Sequence, residues 1–121
     1  MHELSIALDL VDLAAAEARR LGNVRVVALH LRAGPLSGVV QDALRFSFDL
    51  AAVGTAVEGA RLKITPEEVV AWCTPCGKPH TLSNVQRRRC PVCDQPTPEL
   101  LTGGGLELTA LEVADHAPSD R

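Results

Sequence analysis

Residues 73–93, CTPCGKPHTLSNVQRRRCPVC, contain all four cysteines of the chain as two Cys-x-x-Cys pairs, and thirteen residues separate the pairs. This spacing is typical of zinc ribbons, in which two tight turns present four sulfur atoms to one tetrahedral ion. Gly77 and Pro91 are residues that such turns favour. The stretch therefore predicts a structural Zn(II) site with four ligands: Cys73, Cys76, Cys90 and Cys93.

The same spacing leaves disulfides, a redox pair and a rubredoxin-like iron site as alternatives. Zinc is favoured because thiols stay reduced in the cytoplasm, where we expect this chain to be. That expectation rests on the lack of a signal-peptide pattern and of any apolar run near the roughly 20 residues that cross a bilayer. Four sulfur ligands leave no open position on the metal, so we expect no enzyme activity.

The charge of the chain argues against nucleic acid and membranes as partners. Twelve basic and fifteen acidic residues give a net charge of -3, which offers no general attraction for an anionic surface. Arg87, Arg88 and Arg89 lie beside the cysteines, and we interpret them as balancing thiolate charge. A nucleic-acid contact is the alternative, but the cysteine segment has no Tyr or Phe to stack on bases.

The rest of the 121-residue chain alternates between helical and strand patterns. Residues 4–21 have helical spacing, and the expected inner face comprises Leu4, Ala7, Leu8, Val11, Ala14, Ala15, Ala18 and Leu21. A second helix is predicted over 39–53, with its inner face formed by Ala43, Leu44, Ser47, Leu50 and Ala51. Strands are predicted over 24–34, over 59–73 with a break at Pro66, and over 106–113, whereas 96–105 is interpreted as a linker.

These patterns predict an α+β fold in which two helices pack on a small three-stranded mixed sheet. A rubredoxin-like or zinc-ribbon-like four-cysteine module interrupts that layer. The expected organisation is an α/β domain of residues 1–69 and 105–114, a zinc-binding domain with its linker at 70–104, and a flexible tail at 115–121.

The first three residues offer a second kind of metal site. The α-amine of Met1 and the amide nitrogen and imidazole of His2 form fused chelate rings, and the amide nitrogen of Glu3 can add a fourth donor. Four nitrogens in one plane suit Ni(II) or Cu(II). The site requires that Met1 is retained with a free amine. By itself a Met-His start is more often a solvated terminus, so these residues alone leave both interpretations open.

Taken together, three segments and the cysteine spacing resemble the HypA/HybF family, nickel-incorporation proteins for nickel-iron hydrogenases. The segments are MHELSIALDLV at 1–11, LSGVVQDALRFSFDLAAVGTAVEGARLKI at 36–64 and GLELTALEV at 105–113. The resemblance covers roughly residues 1–114. Two departures are Gly34-Pro35-Leu36, where the family usually has Gly-Glu-Leu, and Asp94, where a glycine often follows the last cysteine.

The resemblance implies a nickel metallochaperone in which the N-terminal amine of Met1, His2 and the backbone amide of Glu3 bind Ni(II) as transient cargo. It implies structural Zn(II) at Cys73, Cys76, Cys90 and Cys93. The expected partners are a HypB-type GTPase, the large-subunit precursor of nickel-iron hydrogenase and, in some members, urease maturation proteins. We expect a monomer or a weak homodimer. The alternative function is a zinc-ribbon module that binds protein or nucleic acid.

Overall fold

The computed structural model describes residues 2–82 and 87–114. The chain divides into two compact units, the first formed by Met1–Leu31, Val39–Ile64 and Leu108–Arg121, the second by Arg32–Gly38 and Thr65–Glu107. The sequence placed the domain boundary after residue 69, whereas the long segment of the second unit begins at Thr65. No helix within the described ranges has the length and apolar character needed to span a membrane.

Two α-helices, a short 3₁₀ helix at Pro35–Ser37 and six strands make up the regular structure of the described residues. Helix α1 spans His2–Arg20 and α2 spans Gln41–Ala51. The strands are β1 (Arg25–Ala33), β2 (Arg61–Pro66), β3 (Val70–Cys73), β4 (Lys78–Thr81), β5 (Leu100–Thr102) and β6 (Leu106–Ala114). One sheet has the order β2-β1-β6 and the other β4-β3-β5. The α+β class and the interrupting four-cysteine module are confirmed, but the predicted linker at 96–105 contains a strand, β5.

The sequence predicted the buried face of α1 only in part: Ala7, Val11, Ala14 and Ala18 are buried as expected. Leu4, Leu8 and Leu21 are 51%, 48% and 44% exposed. The buried apolar residues of the helix are Ala7, Leu10, Val11, Ala14 and Ala18. Three of them are alanines with no exposed surface, which lets α1 and α2 pack closely. The helix ends at Arg20 and is followed by Gly22 and Asn23, both with positive φ, where the amide of Asn23 donates to the carbonyl of Ala18 at 2.8 Å.

Helix α2 is shorter than the predicted 39–53 and is buried through two side chains, Leu44 and Phe48. Phe48 was not on the predicted inner face, whereas Leu50, which was, is 59% exposed. Residues four apart lie on one side of a helix, so Leu44 and Phe48 form one contact surface. That surface belongs to the aliphatic core of the first unit, which includes Leu29, Leu31 and Leu62.

The second unit has a small core beneath its sheet. β3 pairs antiparallel with β4, which places Cys73 opposite Lys78, and antiparallel with β5, which places Ala71 opposite Leu100. The buried cluster consists of Val69, Ala71 and Leu82, with Leu36 and Leu100 packed against it. The turn that carries Leu36 is thus part of this unit.

In the second unit, Gly34 and Gly103 allow neighbouring backbone segments to approach each other closely. A Cβ on Gly34 would lie 2.0 Å from the carbonyl oxygen of Gly103, and a Cβ on Gly103 would lie 2.6 Å from the Cα of Val69. Gly103 also has a φ of +88°, which disfavours any larger residue. The glycine of the Gly34-Pro35-Leu36 turn is therefore required by packing.

The two phenylalanines of α2 provide a test of this core. Phe48 is 1% exposed and Phe46 is 68% exposed. We expect Phe48→Ala to lower the free energy of unfolding by about 3–5 kcal/mol, because a large cavity replaces the ring. Phe46→Ala is the matched control and should change it by no more than about 0.5 kcal/mol. Urea unfolding of the metal-loaded protein, followed by far-UV circular dichroism, measures both, and equal losses would contradict this assignment of the buried face.

Candidate metal centres

The four cysteines converge as the sequence predicted. Their Sγ atoms all lie within 4.8 Å of one another, with 3.4 Å between Cys73 and Cys93 and 3.8 Å between Cys76 and Cys90. Tetrahedral Zn–S bonds of about 2.3 Å require sulfur–sulfur separations of roughly 3.8 Å. Cys73 and Cys90 are buried. The four sulfurs therefore form a closed donor set of the right size for one tetrahedral ion.

Two similar turns hold the sulfurs. The amide of Gly77 donates to the carbonyl of Cys73 at 2.8 Å, and the amide of Asp94 donates to the carbonyl of Cys90 at 2.9 Å. Both residues have a positive φ, +70° for Gly77 and +62° for Asp94. Aspartate is one of the few side chains that adopt this conformation readily. The structure thus explains how Asp94 replaces the glycine that often follows the last cysteine.

The thiols of the site do not ionise alike. The amides of Val92 and Cys93 donate to the Sγ of Cys90 at 3.3 Å and 3.4 Å. Burial works to raise the pKa of Cys90, but these backbone hydrogen bonds, together with hydrogen bonds from the Cys73 and Cys93 thiols, outweigh it and lower that pKa to about 6. The neighbouring Cys73 thiol, followed by burial, raises the pKa of Cys76 to about 12. Four adjacent thiolates form together only when a cation compensates their charge.

The three arginines next to the cysteines contact their own unit. Arg88 donates from Nη2 to the carbonyl of Pro98 at 2.9 Å, and Arg89 donates from Nη1 to the carbonyl of Asp94 at 2.7 Å. Arg87 Nη2 lies 3.6 Å from Asp94 Oδ1. These contacts hold the arginines against the second cysteine turn and the segment that follows it. The interpretation that the triplet balances thiolate charge and the nucleic-acid alternative both stay predictions.

At the other candidate site, His2 and Glu3 form the start of α1, and Met1 lies outside the described residues. The imidazole of His2 is exposed, and its Nε2 lies 3.4 Å from Oε2 of Glu3. Glu3 is only 7% exposed, and its Oε2 accepts a hydrogen bond from the amide of Val40 at 3.1 Å. That hydrogen bond lowers the pKa of the Glu3 carboxyl.

The contact between Glu3 and Val40 was not predicted from the sequence. An acidic residue in the first turn of a helix is common, because the helix dipole favours negative charge there. The burial of this carboxylate and its partner, 37 residues away, have no local sequence signal. Val40 is the N-cap of α2 and has no capping side chain of its own. The carboxylate therefore links the first turn of α1 to the start of α2.

Comparisons with known proteins agree with these features. A family model described as hydrogenase/urease nickel incorporation, metallochaperone, hypA matches residues 1–113. A hydrogenase maturation factor HypA from Chloroflexus aurantiacus is 50% identical over 113 residues, which are 93% of this chain and 99% of the relative. A second, from a Roseiflexus species, is 47% identical over 98% of this chain and 96% of its own length.

The fold is also that of a solved structure. The solution structure of the Ni metallochaperone HypA from Helicobacter pylori matches with a TM-score of 0.74 and 20% identity, covering 96% of this chain and all of the other. At 20% sequence identity, the structural similarity supports the fold alone. The family model and the two relatives show which family the chain belongs to. The chain therefore belongs to the HypA family, the metallochaperones of nickel incorporation into hydrogenase and urease.

Proposed function

We propose that this chain carries one nickel ion as cargo at its amino terminus, using the α-amine of Met1, His2 and the backbone amide of Glu3. The observation that carries the proposal is the position of His2, which begins α1 with an exposed imidazole. Amine, amide and imidazole nitrogens together suit Ni(II) in a square plane. A tetrahedral thiolate set suits zinc instead.

The start of a helix is a favourable place for such a chelate. The first four amides of an α-helix have no carbonyl four residues earlier within the helix to which they could donate. The amides of His2 and Glu3 belong to that first turn. Two amide anions would offset the ion's charge, which the positive end of the helix dipole otherwise disfavours.

Glu3 supports the proposed site through its side chain. The carboxylate is held in place by the amide of Val40, and it lies 3.4 Å from the imidazole of His2. It keeps a negative charge beside the ligands and fixes the first turn against the start of α2. Groups that orient a metal ligand in this way typically change metal affinity by about 10–100-fold.

We propose that the four cysteines hold Zn(II) as a structural ion. The sulfur separations, the closed donor set and the backbone hydrogen bonds to Cys90 support this choice. When bound, zinc compensates the thiolate charge and stabilises the fold of the second unit. The residues of that unit provide the two turns and the arginine contacts that hold the sulfurs in place.

Delivery is proposed to proceed by ligand exchange from the exposed terminus to the large-subunit precursor of nickel-iron hydrogenase. An exposed ligand set allows an incoming donor to replace one nitrogen at a time, which a buried site would prevent. A HypB-type GTPase and urease maturation proteins are the proposed further partners. The family's role in hydrogenase and urease nickel incorporation supports this assignment.

The nickel proposal predicts that His2→Ala removes stoichiometric nickel binding while one zinc per chain remains. We expect the nickel affinity to fall by more than about 100-fold, because loss of a direct ligand should exceed the effect of a supporting group. Calorimetric titration of the untagged, zinc-loaded protein measures it. His116→Ala is the matched control and should bind nickel as the unaltered chain does. Tight one-to-one binding by the His2 variant would refute the terminal site.

The zinc proposal predicts that Cys90→Ser abolishes zinc retention and unfolds the second unit. Zinc in comparable four-ligand sites supplies about 10–16 kcal/mol of apparent binding free energy, most of which would be lost. Val92→Ala is the control, because Val92 lies between two ligands but is 70% exposed. Elemental analysis and limited proteolysis of 65–107 test the pair. A serine variant that keeps one zinc and resists proteolysis would contradict the assignment.

A further inference from the structure

The four cysteines of the second unit can pair with one another as well as with an ion, and three pairings are possible. One pairing joins the two cysteines within each Cys-x-x-Cys turn. The other two join the turns, either as Cys73 with Cys93 and Cys76 with Cys90, or as Cys73 with Cys90 and Cys76 with Cys93. Distances and burial distinguish these three pairings.

Two sulfur contacts run from one turn to the other, and both belong to the same pairing. The Sγ atoms of Cys73 and Cys93 lie 3.4 Å apart, and those of Cys76 and Cys90 lie 3.8 Å apart. Both contacts have the geometry of a hydrogen bond between thiols. Formation of a disulfide shortens such a contact to about 2.05 Å. Both bonds can therefore form while each sulfur keeps a neighbour that it already has.

Burial gives each of these two pairs one accessible member. Cys73 and Cys90 are buried, whereas Cys76 and Cys93 are partly exposed. An oxidant from the solvent therefore reaches Cys76 and Cys93 first, and each of them contacts a buried sulfur of the other turn. Pairing Cys73 with Cys90 would join the two buried thiols instead, so burial disfavours that arrangement.

Hydrogen bonds of the backbone hold each turn independently of its partner. The amide of Gly77 donates to the carbonyl of Cys73 at 2.8 Å, and the amide of Asp94 donates to the carbonyl of Cys90 at 2.9 Å. A disulfide between the turns leaves these bonds as they are, because it closes a contact that already exists.

We propose that the four cysteines are also a peroxide-sensitive switch, in which hydrogen peroxide converts them to the disulfides Cys73–Cys93 and Cys76–Cys90 and so removes the metal's ligands. The switch depends on the proposed structural zinc site and would regulate it. Its geometric basis is that each accessible cysteine contacts a buried cysteine of the other turn.

Each disulfide forms in two steps. The accessible thiolate attacks the peroxide, so that an S–O bond forms, the O–O bond breaks and hydroxide leaves. The buried thiolate then attacks the sulfenic sulfur, so that the S–S bond forms, the S–O bond breaks and a second hydroxide leaves. Each pair of thiolates gives two electrons to one peroxide molecule, and the two hydroxides take up two protons to become water.

Oxidation would empty the site while the unit stays folded. The thiolate is the form of cysteine that binds metal, so both disulfides together leave the ion without ligands. The disulfides then replace the ion as the link between the two turns, and such cross-links stabilise a fold by restricting the unfolded chain. A thiol reductant returns the four ligands to their places, so the loss of metal is reversible.

The cleavage sites of trypsin separate the two turns, which allows a direct test. Arginines at 87–89 lie between the turns, and Lys78 is followed by a proline, which blocks cleavage there. Digestion therefore yields one peptide, 64–87, with the cysteines of the first turn, and another, 90–121, with those of the second. Disulfides between the turns join these peptides, whereas disulfides within the turns leave them separate.

The zinc-loaded full chain is treated with hydrogen peroxide, alkylated and digested without reductant. Mass spectrometry should find the two peptides joined by two disulfides, with fragmentation that assigns Cys73 to Cys93 and Cys76 to Cys90. A zinc-binding dye should record the loss of one zinc per chain as the disulfides form. Reduction followed by added zinc should restore the original metal content.

The same chain, stripped of zinc and unfolded in urea, is the matched control. In an unfolded chain short loops close at a lower entropic cost than long ones. Oxidation of this sample should therefore favour disulfides within each turn, and its digest should contain separate peptides. A difference between the two samples reports the contacts of the folded unit, because the cysteines and the oxidant are the same.

Limited proteolysis of 65–107 tests whether the disulfides replace the ion. The oxidised, zinc-free chain should resist cleavage as the zinc-loaded chain does, whereas the reduced chain with its zinc removed by a chelator should be cut rapidly. The proposal is overturned by separate peptides from the folded sample, by a link from Cys73 to Cys90, by thiols that stay reduced and keep zinc, or by rapid cleavage of the oxidised chain. A reduced chain without zinc would refute the structural zinc site itself, and the peptide map would still decide the pairing.

Discussion

The four clustered sulfur atoms impose the constraint on which the second unit depends. Among the described residues its buried apolar cluster comprises Val69, Ala71 and Leu82, with Leu36 and Leu100 packed against it. So small a core leaves the unit dependent on the ion, because metal binding by four thiolates supplies folding free energy. We infer that metal binding and folding are one event in this unit.

The first unit needs no such ion, because its core is formed by α1, α2 and the strands between them. The proposed nickel site needs a first turn of α1 that is held in place, since helix ends commonly fray. The hydrogen bond from the amide of Val40 to the carboxylate of Glu3 holds this turn. It caps α2 with a side chain from α1, so the turn that holds His2 is anchored while the imidazole itself stays exposed.

The features that were predicted correctly are those that sequence encodes locally. Two Cys-x-x-Cys turns bring their own sulfurs together, so spacing alone located the cluster. The buried faces of the helices were harder to predict, because α1 carries leucines around most of its circumference. Tertiary packing decides which of these leucines are buried. Leu10 is buried and Leu8 is not, and on α2 the same selection separates Phe48 from Phe46. The role of the Glu3 carboxylate depends on a residue 37 positions away, and no local pattern contains it.

The proposed nickel and zinc sites differ in the property that each function requires. A structural ion should exchange slowly, and the sulfur set achieves this with two buried cysteines and backbone hydrogen bonds to Cys90. A cargo ion must leave, and a set of nitrogens at the first turn of α1 leaves one side open to an incoming donor. Geometry also favours the proposed sorting of the metals: nitrogens in a plane suit Ni(II), whereas zinc has no preference for the plane and suits a tetrahedron of thiolates. Under the two proposals, one short chain would retain one metal and release another, because donor type and exposure act together at each site.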